Sequence, residues 1–146
     1  MTKEKAIVLD IDGVILDSAI ILKEIYNLEL RGDEMWEYFH KNCNGQKVTF
    51  IKNISPFLEA LNVRIILSTA RNDKCRQSTE DRLNEEEIPY YSLYMRKDGD
   101  YRPSDEVKKE HLQNISKNFD IIAFIDDDLA NCQMAKEEGI LALRRV

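Results

Sequence analysis

The chain has 146 residues, 43% of them hydrophobic and 33% charged, and a formal net charge of −6. That length and balance predict one folded domain over residues 1–146 and exclude a disordered chain. No apolar run nears the roughly 20 residues of a transmembrane helix, so no membrane partner is expected, and the acidic balance excludes a general coat for nucleic acid, which would need many Lys and Arg contacts to phosphate.

Cys43, Cys75 and Cys132 are odd in number and widely spaced, which predicts a reduced, cytoplasmic protein without disulfides. The first residues lead straight into an apolar run, with neither the apolar region nor the cleavage site of a signal peptide. Lys5–Asp10 is the first predicted strand, buried along Ala6-Ile7-Val8-Leu9. Asp10-Ile11-Asp12-Gly13-Val14 follows at once. Two carboxylates two residues apart at the end of a buried strand are a folding cost, which a bound cation and an incoming phosphate would offset. An EF-hand loop would place Gly at the sixth position, whereas Gly13 is the fourth residue counted from Asp10. A sugar-transferase Asp-x-Asp belongs to larger proteins, and a plain structural turn is the bland alternative.

Helices are predicted over Ser18–Leu30, with Ile21, Ile25 and Leu28 on one face, and over Asp33–Lys41, which holds Met35, Trp36 and Phe39. Both are expected in the core, with Trp36, Tyr38 and Phe39 as packing residues. His40 and Cys43 have a metal-like spacing, but no second pair completes a zinc site. Val48, Ile51, Ile54, Leu58 and Leu61 repeat at helical spacing, with Pro56 starting or kinking a helix there.

The strand Val63–Ser68 runs into Ser68-Thr69-Ala70-Arg71, predicted as a strand-to-helix turn. A hydroxyl and backbone N–H groups at such a turn hold phosphoryl oxygens. Thr69 is the preferred hydroxyl, with Ser68 left open and helix capping as the plain alternative. Arg71 is expected either to clamp a substrate phosphate bidentately or to form a surface ion pair. The helix Asp73–Glu86 ends before Pro89, and Tyr90–Met95 is the next strand.

Asp105–Asn118 is a predicted helix with Ser104 as its N-cap, Val107, His111 and Ile115 on one face, and His111 at the surface or core edge. Lys108 sits in the first turn, where the macrodipole disfavours a cation. Its side chain points back toward the helix start and is expected to reach a phosphate, while Lys109 reads as an ordinary solvated Lys. The strand Ile121–Asp126 leads into Asp126-Asp127-Asp128, with Asp128 as a helix cap. The helix Leu129–Glu138 ends at Gly139, and the strand Ile140–Arg144 closes the chain.

Alternating strands and helices predict an α/β fold with a parallel sheet. Ligands bind outside the carboxyl ends of such strands, so Asp10, Asp12, Ser68, Thr69, Lys108, Asp126 and Asp127 are expected to converge there. The expected chemistry is attack by Asp10 on phosphorus to form an aspartyl-phosphate, with Asp12 protonating the leaving oxygen and then activating water. Mg²⁺ is the expected cofactor, with Asp126 as a direct ligand, Asp127 as a water-mediated or orienting one, and Asp10 and Asp12 completing the ligand set.

In order, Asp10-x-Asp12-Gly13-Val14, Thr69, Lys108 and Asp126-Asp127 resemble the four motifs of haloacid dehalogenase-like phosphatases. The resemblance covers nearly the whole chain. It implies a three-layer Rossmann-like core with a mainly parallel sheet, Mg²⁺ and the aspartyl-phosphate route. Leu93 to Arg102, then Ser104 to Lys108, with Trp36-Glu37-Tyr38-Phe39 and Thr79-x-x-Arg82-Leu83, are similar to the 3′-phosphatase domain of phage polynucleotide kinase-phosphatases. That similarity implies a nucleic acid 3′ end as substrate and adds Arg96, Arg102 and Asp105 to the site. Ala70 and Asp128 stand where that group has Gly and Arg. No Gly-x-x-x-x-Gly-Lys-Ser/Thr occurs, so no kinase half is expected in these residues.

Only about 50 residues separate Asp12 from Ser68, which leaves no room for a large cap domain. An open site favours exposed phosphates on large substrates. Residues 96–110 balance Arg96, Lys97, Arg102, Lys108 and Lys109 against Asp98, Asp100, Asp105, Glu106 and Glu110, which predicts end-directed binding. A phosphatase of mononucleotides or small metabolites, and a non-catalytic Mg²⁺ or phosphate-binding module, remain the alternative expectations.

Overall fold

The computed structural model describes residues 2–146, apart from the side chains of Phe50 and Ile51. Its five strands are β1 (Glu4–Leu9), β2 (Val63–Asn72), β3 (Ser92–Arg96), β4 (Phe119–Asp126) and β5 (Ala142–Arg144). They form one sheet of order β3-β2-β1-β4-β5, and every pairing is parallel. The helices are α1 (Ala19–Asn27), α2 (Gly32–Asn42), α3 (Ser55–Ala60), α4 (Arg76–Glu85), α5 (Ser104–Ser116) and α6 (Leu129–Glu137). This is the expected Rossmann-like α/β architecture.

The central strand β1 is apolar on both sides, and its alternation sorts the core into two layers. Ala6 and Val8 join Ile66, Phe124, Leu112, Ile115, Met134 and Ala135 under α5 and α6. Ile7 and Leu9 join Ile65, Leu67, Leu93 and Leu83 on the opposite face, with Ile11, Ile15 and Leu16 from the loop after β1. Each such buried aliphatic side chain contributes about 1.5–3 kcal/mol. Both layers pin the end of β1, and Asp10 sits directly beyond it.

Several predicted boundaries shift for identifiable reasons. β2 does not end at Ser68: it continues to Asn72, where pairing with β3 resumes at Asn72↔Arg96 after an irregular stretch. Thr69 and Arg71 therefore lie in a strand extension, not in a strand-to-helix turn. Asn72 caps a 3-10 turn (Asp73–Cys75) by accepting from Lys74 N, and α4 starts only at Arg76. Ser104 is the first residue of α5, and its cap position belongs to Pro103, whose carbonyl accepts from Glu106 N and Val107 N.

The helical spacing of 48–61 splits into a 3-10 stretch (Phe50–Ile54) and α3, with Pro56 in the first turn of α3. Val48, Ile54 and Leu58 pack on the core while Leu61 is exposed; the side chain of Ile51 lies outside the described residues. The helices expected in the core at 18–30 and 33–41 instead pack on each other as α1 and α2, around Ile21, Ile25, Cys43, Leu30, Met35, Tyr38 and Phe39. Leu28 and Trp36, expected inside, are each 55% exposed. Gly139 ends α6 as predicted, at φ +78.

Candidate active site

The carboxyl ends of β1, β2 and β4 and the first turns of α5 meet at one edge of the sheet. Leu9 is in register with Leu67 of β2 and Ile125 of β4, so Asp10, Ser68 and Asp126 follow side by side. Asp10 N donates to Ile125 O at 3.0 Å, tying the two acid-bearing strand ends together. The first expectation holds in space: residues near the start and the end of the chain share one site.

Lys108 is 1% exposed, and its side chain reaches back from α5 into this edge. Its Nζ lies 2.9 Å from Asp10 Oδ1 and 2.6 Å from Asp126 Oδ2. Burial works against the ammonium, but Asp10 and Asp126 outweigh it and hold the Lys108 pKa above its ordinary value. Burial also drives Asp10 well above the usual carboxylate range; Asp126 and Asp12 add to this and Lys108 opposes it. Asp126 is fully buried, with Oδ2 also accepting from Asn131 Nδ2 and Oδ1 accepting from Asp128 N.

Asp10, Asp126 and Asp127 each offer an oxygen, all within 4.8 Å of one another. Burial, then the charge of Asp126, pushes Asp127 up to about 6. Hard oxygen donors with excess negative charge suit Mg²⁺ better than a soft metal. Gly13 has φ +85, and a Cβ there would fall 2.0 Å from Asp127 Oδ2. Only glycine lets this carboxylate lie against the loop.

Asp12, also expected in the ligand set, lies outside this group of three. Arg71 Nε donates to its Oδ2 at 2.8 Å and Arg71 Nη2 to its Oδ1 at 2.7 Å. Gln46 Nε2 adds a third bond, to Oδ1 at 3.0 Å. Arg71 Nη1 donates to Asn44 Oδ1 and Thr79 Oγ1. Arg71 thus forms no surface ion pair: its buried fork grips a carboxylate of the site itself. Burial lowers its pKa and the bonds from Asp12 more than restore it, leaving it raised.

The open choice between Ser68 and Thr69 acquires a geometry. Ser68 Oγ is 2.8 Å from His111 Nδ1, deep under α5, while His111 Nε2 meets Met95 O at 3.2 Å. His111 is buried rather than at the surface, and burial lowers its pKa to about 4. Thr69 Oγ1 accepts from Arg71 N, which leaves its own hydroxyl hydrogen to donate.

Three further candidates have partners outside the acidic group. Arg96 donates to the carbonyls of Ala70, Asp100 and Arg102. Arg102 pairs with Asp100 and Glu110, bonds that draw Asp100 down to about 2. Both staple the loop between β3 and α5. Asp105 accepts from Glu106 N in the first turn of α5, where a carboxylate suits the helix dipole.

Sequence reasoning did not single out Gln46, Asn44, Asn131 or Arg145. Arg145 Nη1 donates to Gly13 O, Arg144 Nε donates to Asp127 O, and Arg145 N donates to Asp126 O. The end of the chain thereby clips the two acidic loops. No motif marks these residues: Gln46, Asn44 and Arg145 act on groups distant in sequence, and Asn131, close to Asp126, is a neutral side chain inside a helix.

Residues 4–144 match the model of the polynucleotide kinase PNKP phosphatase domain. The chain belongs to this family. It is therefore a haloacid dehalogenase-like phosphatase domain. No curated protein matches it in sequence. Among solved structures, the phosphatase domain is similar to a chain of the Pnkp1/Rnl/Hen1 RNA repair complex, with a TM-score of 0.78, 22% identity, and coverage of 97% of this chain and 42% of that one. It is also similar to the class C acid phosphatase from Bacillus anthracis with tungstate bound, with a TM-score of 0.74, 15% identity, and coverage of 99% and 68%. At these identities the likeness is one of fold. The phosphatase domain spans less than half the length of the RNA repair chains it matches, at 42% and 46%.

Proposed function

We propose that this domain is a Mg²⁺-dependent phosphomonoesterase that removes the 3′-phosphate from nucleic acid ends. One observation carries the reading: Asp10, Asp126 and Asp127 form a group with oxygens within 4.8 Å, closed on one side by Lys108. Asp10, Asp126 and Asp127 would hold the metal. When bound, Mg²⁺ offsets the crowded carboxylates and polarises phosphoryl oxygens.

Each residue then has a task. Lys108 fixes the Asp10 carboxylate and supplies a buried cation for the charge of the transferring phosphoryl group. A carboxylate oxygen of Asp10 bonds to phosphorus as the bond to the leaving oxygen breaks. Asp12 gives that oxygen its proton, and afterwards takes one from the water that hydrolyses the aspartyl-phosphate. The Thr69 hydroxyl donates to a phosphoryl oxygen, while Ser68 serves the fold through His111.

The nucleic acid substrate is supported by membership of the polynucleotide kinase phosphatase family and by the RNA repair setting of one structural relative. Among the described residues only short helices, α1 to α3, and 3-10 turns lie between β1 and β2, which fits a phosphate carried on a long chain. The deciding assay compares 3′-phosphorylated DNA and RNA oligonucleotides with 5′-phosphorylated ones and with free 3′-mononucleotides, each with Mg²⁺ and with chelator. Hydrolysis restricted to oligonucleotide 3′ ends in Mg²⁺ is the expected result. Equal or faster turnover of free nucleotides would instead identify a small-molecule phosphatase, and no hydrolysis of any phosphomonoester would leave only a binding module.

A further inference from the structure

The segment Cys43 to Gln46, between α2 and the 3-10 stretch, touches the site in a way the proposed chemistry does not yet use. Gln46 is 6% exposed, and its Nε2 donates to Asp12 Oδ1 at 3.0 Å and to Cys43 O at 2.8 Å. Both neighbours are acceptors, so the NH₂ end must face them. The other end, Oε1, is then buried and meets no protein donor among the described residues. Flipping the amide would not help, because it would set Oε1 against Asp12.

Arg71 alone holds the plane of the Asp12 carboxylate. Gln46 breaks the symmetry between its oxygens. Oδ1 accepts from both Arg71 Nη2 and Gln46 Nε2, while Oδ2 accepts from Arg71 Nε alone. Oδ2 is left with a lone-pair site for a proton.

We propose that Gln46 is a positioning residue for proton transfer: it pins Oδ1 of Asp12 so that Oδ2 carries the proton to the leaving group. This rests on the reading of Asp12 as the proton carrier. In that step Asp10 bonds to phosphorus, the bond between phosphorus and the leaving oxygen breaks with its electron pair on oxygen, and the proton of Asp12 ends there. Asn44, which accepts from Arg71 Nη1 and donates to Ser78 O, braces the other side of the fork.

Dependence on the leaving group tests this. An alkyl alcohol leaves poorly without a proton, whereas p-nitrophenolate needs little help. Gln46→Leu removes the donors at similar size, and Gln46→Glu keeps the shape while replacing them with an acceptor. Both variants are expected to lose roughly 10- to 100-fold in kcat/KM on a 3′-phosphorylated oligonucleotide, part of the 10²–10⁴ that proton transfer supplies. The loss on p-nitrophenyl phosphate is expected to stay within about threefold, since so little protonation is needed. Equal losses on both substrates in the folded variants overturn the proposal and assign Gln46 to plain structure. Asp12→Asn is run beside them. If it shows no such split, the proton reading itself fails and Gln46 falls with it; if it does and the Gln46 variants do not, only the role of Gln46 is refuted.

Discussion

Lys108 Nζ lies between two buried carboxylates, 2.9 Å from Asp10 Oδ1 and 2.6 Å from Asp126 Oδ2. Desolvating three charges together is tolerable only while they compensate one another. Replacing Lys108 by Met leaves Asp10 and Asp126 facing each other without a cation. Breaking a buried pair in this way costs about 3–5 kcal/mol. Thermal denaturation at pH 7 is expected to show a lowered Tm for Lys108→Met, with Mg²⁺ raising the Tm of the variant more than that of the parent. An unchanged Tm would mean that Lys108 is not the compensating charge.

Asp10→Asn has the opposite character. Asp10 Oδ1 accepts from Ile11 N at 2.8 Å, and the amide oxygen of Asn keeps that bond. The substitution also removes one of three crowded carboxylates, so folding is expected to persist, with a Tm in Mg²⁺-free buffer at or above that of the parent. Turnover of every phosphomonoester is expected to vanish, because an amide cannot form the acyl-phosphate bond. A steady-state assay on folded protein decides it, and residual turnover above a no-enzyme blank would remove Asp10 from the nucleophile's role.

These acidic residues were legible in the sequence because strand ends in a parallel sheet share one edge. Once Ala6 to Leu9 and Ile121 to Ile125 are read as strands, Asp10 and Asp126 have few other places to go. Lys108 was legible from its awkward position in a helix N-terminus. The clasp of Arg71 on Asp12 was not legible, since an Arg two residues after a Thr looks the same whether it binds substrate or protein. This grip depends on β2 running on to Asn72, an extension hidden by the polar composition of Ser68-Thr69-Ala70-Arg71. Gln46 was invisible for a related reason: the segment 43–46 has no periodicity, and its meaning comes only from what it touches. The pairing of α1 with α2 was misread because apolar helical faces do not say whether they cover a sheet or each other.

Gly13 links backbone shape to the acidic group. A side chain at φ +85 is strained, and Ala at this position would overlap Asp127 Oδ2, which a Cβ would approach to 2.0 Å. Asp127 must swing away, and one of the three oxygen donors goes with it. Gly13→Ala is therefore expected to fold, with a strain cost of about 1–3 kcal/mol, but to need a much higher Mg²⁺ concentration for half-maximal activity. A metal titration of activity checks this, and an unchanged midpoint with normal kcat would show that Asp127 does not serve the metal.

His111 gives a pH dependence with a definite sign. Burial depresses its folded-state pKa to about 4, against 6.5 for a free His; Lys108 and Arg102 push the same way, while its bond to Met95 O and the charge of Glu110 oppose them. As pH falls below 6.5 the unfolded chain takes up a proton that the folded protein refuses. Stability supplied by the neutral ring is thus present above 6.5 and drains away down to about pH 4, by up to about 3 kcal/mol at 1.36 kcal/mol per unit. Asp127, raised to about 6, works in the opposite direction over part of the same range, so the parent alone does not isolate the effect. His111→Gln removes the titrating ring and weakens the link to Ser68 and Met95. Urea denaturation of both proteins at pH 7.5 and 5 is expected to show His111→Gln less stable at pH 7.5 but with a smaller loss between the two pH values. Equal losses in the two proteins would place the proton uptake elsewhere.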